Sequence, residues 1–180
     1  MSSEQLVRNC APTLAGIKTG SLYTYHFRTD EDIRKDIARF NRLMNKKGLR
    51  MIPVKLCESY ALMYLYRPDM LNEDLKDSLA REILSRYGYS LKGSDRCVVD
   101  LVNRLKGNSF PHEIGLFLGY PPSDVLGFIR DPHAGYADVG YWKVYSNVES
   151  ARAAFRRYRK CTAEYGRMYK SGRTLEQLIV

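Results

Sequence analysis

Cys10, His112 and Glu113 have the side-chain types of a thiol nucleophile, its base and a carboxylate that orients the base, with Asp138 a second orienting candidate. Local context argues against a reactive thiol. Gln5 to Cys10 reads as one or two helical turns, so Cys10 falls at a helix C-terminus, where the dipole opposes a thiolate; Arg8 and Lys18 compensate in part. The competing reading is a buried cysteine that anchors the N-terminal segment. His112 and Glu113 are adjacent, so on a helix they diverge by about 100° and cannot share an ion as an i, i+4 pair does. Leu116 excludes HExxH. His26, His112 and His133 with a carboxylate are the remaining metal set, and their spacing gives it little support. The expectation is no metal and no cofactor.

A ligand site is the second kind of chemistry on offer. Lys18, Arg67 and Lys143 lie beside or on β-like runs and could clamp a phosphate or carboxylate near His112, with Tyr120 ending the Phe110 to Tyr120 segment of that site. The sequence has no Walker A and no GxGxxG to support a nucleotide enzyme. Gly115, Leu118-Gly119 and Val125 fit a helix-turn-helix register, but the second helix would expose Ser123, Asp124, Gly127 and Arg130, poor equipment for a polyanion. The strongest signal is further on. Between Arg152 and Arg173 stand Arg152, Arg156, Arg157, Arg159, Lys160, Arg167, Lys170 and Arg173 with one acid, Glu164. Ala151, Ala154, Phe155, Tyr158, Cys161, Thr162, Tyr165, Met168 and Tyr169 recur at helical spacing and make the inward face. A solvated helix normally mixes signs, so this one points either to a plain soluble face or to an anionic partner.

The elements that must position these residues follow from periodicity and punctuation. The chain has 180 residues, 44% hydrophobic and 27% charged, with Lys plus Arg 29 against Asp plus Glu 20 and a net charge of +9. That length supports a real core, and one domain over 1–180 is expected. Pro12 and Gly16 break the first helix before a strand at Ser21 to His26. Asp30 caps a helix to Lys47 that stops at Gly48. Met51 to Cys57 and Tyr60 to Arg67 read as an antiparallel hairpin, with Pro53 placing its first strand at an edge or bulge. Asn72 caps a long helix to Tyr87, and Ser94 a third to Lys106. Phe110 to Ile129 reads as two short helices across a tight turn, with Pro111 opening the first and Ser123 capping the second. A last strand, Tyr141 to Tyr145, precedes the longest helix, capped by Asn147 and ending near Lys170. The class is α+β: a small, mainly antiparallel sheet of about four strands covered by several helices. No apolar run approaches the roughly 18 residues of a membrane span, and no signal peptide opens the chain. Four scattered cysteines without a CxxC pair suit reduced thiols. A cytoplasmic protein is expected.

Three segments, Cys10-Ala-Pro-Thr-Leu-Ala-Gly-Ile-Lys18, Phe110-Pro-His-Glu-Ile-Gly-Leu-Phe-Leu-Gly-Tyr-Pro-Pro-Ser-Asp-Val125 and Gly140-Tyr-Trp-Lys-Val-Tyr145, resemble an uncharacterised family of anaerobic Firmicutes, the domain-of-unknown-function family thirty-seven ninety-three. The likeness runs from about residue 8 to 165. It carries no assigned activity. It implies a stand-alone cytosolic protein with Cys10, Lys18, Arg67, His112, Glu113, Gly119, Tyr120 and Trp142 as marked positions. Some members carry a cysteine just before the Gly-Tyr-Trp element; Val139 stands there in this chain, so a thiolate metal site cannot be built from it. The leading expectation is a binding or accessory protein that docks an acidic protein, an RNA or another anion through Arg152, Arg156, Arg159, Lys160, Arg167 and Lys170. The alternatives are a small thiol enzyme using Cys10 and His112, and a helix-turn-helix-like nucleic-acid binder.

Overall fold

A computed structural model describes residues 2–107 and 109–180, and it is α+β. The chain divides into two compact units, one formed by the chain up to Asp69 together with Lys160–Val180 and the other by Met70–Arg159.

In the first unit, α1 (Ser3–Leu14) leads through a turn to β1 (Gly20–His26), α2 (Asp30–Met44) and a 3-10 turn, then to β2 (Arg50–Leu56) and β3 (Tyr60–Tyr66). The three strands form one antiparallel sheet in the order β1-β3-β2. Alternation sets its faces: Tyr23, Tyr25, Met51, Ala61, Met63 and Leu65 turn to one core with Leu6, Cys10 and Leu14 of α1 and Ile33, Phe40 and Met44 of α2. α1 does not stop before Pro12. It runs through the proline in its last turn, giving up one intrahelical amide bond near the helix end, and the Pro12 carbonyl takes the amides of Ile17 and Lys18 at 2.9 and 3.1 Å. The cap of α2 is Thr29, one residue before the expected Asp30; its hydroxyl accepts the Asp32 amide. Gly48, at φ 69°, ends the 3-10 turn in the left-handed region, as the stop signal required. Pro53 lies on an edge strand, and the register slips between Pro53 and Lys55.

In the second unit the expected helix from Asn72 to Tyr87 is two helices, α3 (Pro68–Asp74) and α4 (Ser78–Arg86). Asp77 makes the break by accepting the amides of Leu79 and Ala80, a cap that the continuous Leu75-Leu79-Ile83 spacing hides. α5 (Ser94–Leu105) follows Gly93, which stands at the cap position expected for Ser94. α6 (Ile114–Phe117) and α7 (Pro122–Arg130) form the expected pair of short helices; Pro111 lies before the first, and Pro121, not Ser123, caps the second. The strand expected at Tyr141–Tyr145 shrinks to β5 (Lys143–Val144), paired with β4 (Asp138–Val139), so the described residues form a three-stranded sheet and a separate two-stranded one in place of one sheet of about four strands. Asn147 caps the long helix α8 (Val148–Lys170) through the Ser150 amide at 2.9 Å. Ala151 and Phe155 of α8 pack on Val144 and Trp142 in the second unit, whereas Tyr165 belongs to the first unit's core with Cys161, Met168 and Tyr169 beside it. A short α9 (Leu175–Leu178), opened by a Thr174/Gln177 capping box, completes the first unit.

Candidate functional site

A cavity of about 440 Å³ opens in the second unit between the segment before α6, the α6–α7 turn, α7 and the β4–β5 hairpin. Missing side chains allow these pieces to close up. A Cβ on Gly115 would lie 2.8 Å from Val125 Cγ2, and one on Gly127 would lie 2.3 Å from the Tyr145 ring. Ile114, Leu118 and Val125 make a buried apolar floor. Trp142 and Tyr120 stand as a wall with ring centroids 4.9 Å apart, and Trp142 meets Phe155 edge-on at 4.6 Å and 74°. Burial pushes the Tyr120 hydroxyl up to about 12.

Asp124 holds the wall to α7. Only 2% exposed, its Oδ2 accepts the Trp142 indole N–H at 2.7 Å, and its Oδ1 accepts the Tyr145 and Ser146 amides at 2.8 Å and the Ser146 hydroxyl at 2.7 Å. A buried carboxylate is tolerated when its lone pairs are filled in this way. Around Phe128 two nitrogen-bearing side chains gather. His112 meets its ring edge-on at 5.1 Å, and Lys143 Nζ lies 6.0 Å from its centroid, donating to the Pro132 carbonyl at 2.5 Å and sitting 4.4 Å over Tyr136. The geometry offers apolar surface, aromatic rings and two nitrogen-bearing side chains next to Phe128, which is the make-up of a binding pocket.

The residues singled out from sequence fall into separate places. His112, Tyr120 and Lys143 line this cavity. Glu113, next to His112, turns into the interior: 1% exposed, it accepts from Arg104 Nε at 2.5 Å and from the Tyr89 hydroxyl at 3.0 Å. Cys10 and Lys18 lie in the first unit. Cys10 is fully buried within α1, and burial raises its thiol to about 12 although the Lys18 charge and a Ser21 hydrogen bond pull the other way. Burial likewise lowers Lys18 to about 8, and its ammonium donates to the Gly20 carbonyl. Arg67 spends its guanidinium on the backbone: Nε to the Thr13 carbonyl at 2.8 Å, Nη2 to Leu14 and Val180 at 2.7 Å each, and Nη1 to Lys47 at 3.2 Å. Thr13 and Leu14 are last-turn carbonyls of α1, which lack helical partners.

Arg152, Arg156, Arg157, Arg159, Lys160, Arg167, Lys170 and Arg173 are all exposed. Asp138 binds Arg152 at 2.6 Å, and Glu164 binds Arg167. No carboxylate among the described residues pairs with Arg156, Arg159, Lys160, Lys170 or Arg173. Sequence reasoning missed Asp124, which it placed on an exposed face with Gly127; the carboxylate is buried and the glycine is covered by Tyr145. Its partners lie 18 to 22 residues away, so no local pattern marked it. Among the described residues, no group of three or more His, Cys, Asp or Glu side chains is placed to hold a metal, and no helix is long and apolar enough to cross a membrane. No curated protein and no solved structure matches the chain. A family does match over residues 6–179, and the chain belongs to it: the family described as "Protein of unknown function (DUF3793)".

Proposed function

We propose that this is a binding protein that docks an acidic protein surface through the basic face of α8. One observation carries the reading: Arg156, Arg159, Lys160, Lys170 and the following Arg173 are exposed, and no carboxylate among the described residues neutralises them. A single-signed face of this kind steers an anionic partner and fixes its register. The chemistry of the face favours protein over single-stranded RNA. Tyr158 and Tyr165 of α8 are buried and half-buried Tyr169 packs against the first unit's core, so the described rings of α8 offer unpaired bases little to stack on. The helix-turn-helix alternative draws no support from α7, whose exposed residues are Ser123 and Arg130 alone. The thiol-enzyme alternative is weakened by the shielding and high pKa of Cys10. Four free cysteines suit a reducing compartment, in keeping with a cytoplasmic protein.

The test uses poly-glutamate and poly-uridylate as defined probes, with the parent chain and a variant carrying Arg156→Gln, Arg159→Gln, Lys160→Gln and Lys170→Gln. Poly-glutamate should bind the parent at low salt, be released by about a tenfold rise in ionic strength, and bind the variant weakly. Binding that survives the salt or the four substitutions overturns the reading, as does tighter binding of poly-uridylate.

A further inference from the structure

The cavity of the second unit is independent of the basic face, and its lining specifies a ligand. We propose that it binds a small planar aromatic molecule bearing a carboxylate, with the rings against the Trp142–Tyr120 wall and the anion at the Phe128 corner beside Lys143 and His112.

Four observations carry this assignment. The volume of about 440 Å³ lies within the range of roughly 300–1,000 Å³ usual for small-molecule sites. The mouth leaves apolar surface in water, with Phe110 50% and Val139 56% exposed, and a ligand that reaches the rim covers it. Tyr120 and Trp142 lean on each other, tilted by 31° with centroids 4.9 Å apart, and both line the cavity, so a ligand ring can extend the aromatic cluster in offset or tilted contact better than a flexible acyl chain can. The corner supplies donors. The Lys143 ammonium uses one N–H on Pro132 and has two left, and the His112 imidazole is without a hydrogen bond among the described residues. Nearby Asp131 feels the Lys143 charge but makes no close ion pair with it: its Oδ1 takes the His133 and Ala134 amides at 2.9 Å each, which leaves the Lys143 ammonium hydrogens for a ligand. Asp124 is filled by its four donors and offers no lone pair to the Lys143 ammonium. One ammonium and one imidazole, with no arginine fork among the lining residues, suit a single-charged carboxylate better than a phosphate dianion.

Isothermal titration of the full chain with 2-naphthoate, 2-naphthamide and decanoate tests the assignment. 2-Naphthoate should bind one to one, and the isosteric neutral amide about tenfold more weakly, because one charge-assisted contact is lost. Lys143→Met should bring 2-naphthoate down to the affinity of the amide while leaving amide binding unchanged, which also shows that the variant is folded. Equal affinity of the parent for acid and amide overturns the assignment of a carboxylate corner, and so does unchanged 2-naphthoate binding by Lys143→Met. Tighter binding of decanoate overturns the aromatic wall, and absence of binding by all three probes overturns the site.

Discussion

Asp124 is the residue whose removal should be felt most strongly in the second unit. Asp124→Ala withdraws the acceptor from three N–H groups, those of Trp142, Tyr145 and Ser146, and from the Ser146 hydroxyl. Each N–H left without its acceptor costs about 1 kcal/mol or more, while the hydroxyl of exposed Ser146 keeps Ser123 as a partner, so the sum is about 3–4 kcal/mol. Asp124→Asn keeps the oxygen that serves three of the donors but turns an NH2 toward the Trp142 indole N–H. It should lose that one bond and the assistance of the charge, about 1–2 kcal/mol. Trp142 is the sole tryptophan, so its fluorescence during urea unfolding reports on this unit directly. With a urea dependence of about 2 kcal/mol per molar, the midpoint should fall by about 1.5–2 M for alanine and by roughly half that or less for asparagine. An alanine variant within about 0.5 kcal/mol of the parent would refute the assignment of Asp124 as the tie between α7 and the Trp142 wall.

Cys10 should resist alkylation: at pH 8 a thiol with a pKa of about 12 in place of 9.0 has about a thousandth of the thiolate, and peptide mapping should find Cys57 modified long before it in native protein. Equal rates would contradict its burial. The Lys18–Cys10 pair also sets an alkaline pH profile. Lys18 is lowered to about 8 from 10.5, so between those values the unfolded chain holds the extra proton and stability rises with pH; Cys10 is raised to about 12 from 9.0, so from 9.0 upward the folded chain holds the extra proton and stability falls. The two offset each other from 9.0 to 10.5, and thermal melts should show a gain from pH 8 to 9 that Lys18→Met abolishes; an unchanged gain in the variant would refute the assignment to Lys18. Gly127→Ala should lower the melting temperature even though alanine is the better helix former, because its methyl would meet the Cβ and ring of Tyr145 at 2.3–2.7 Å, an overlap costing about 1–3 kcal/mol. A raised melting temperature would show that the contact is slack.

The parts of the fold legible in the sequence are those with local causes. The hairpin of β2 and β3, the stripe of α2, the stop at Gly48 and the two faces of α8 all follow from period and punctuation, and the structure has them. The break between α3 and α4 was hidden because Asp77 interrupts the backbone without interrupting the apolar spacing. The Tyr141–Tyr145 run alternates like a strand, yet only Lys143 and Val144 pair, since Trp142 and Tyr145 are engaged by Asp124 and the Tyr145 ring covers Gly127. The candidate site was legible in part for the same reason. His112, Tyr120 and Lys143 were named by residue type and do line one cavity, whereas Lys18 and Arg67, equally cationic, are consumed by backbone carbonyls that no spacing rule announces.

Pro53 and the slipped register beside it have a bearing on how the molecule meets others. An open sheet border invites a second chain to add its own strand, and such growth is the usual route to aggregates. On the β2 border one amide hydrogen is missing and the spacing of the rest is thrown out of step, so an incoming strand finds no regular ladder to continue. Recognition along that border must therefore rely on side chains, and the backbone there is protected from templating its own copies.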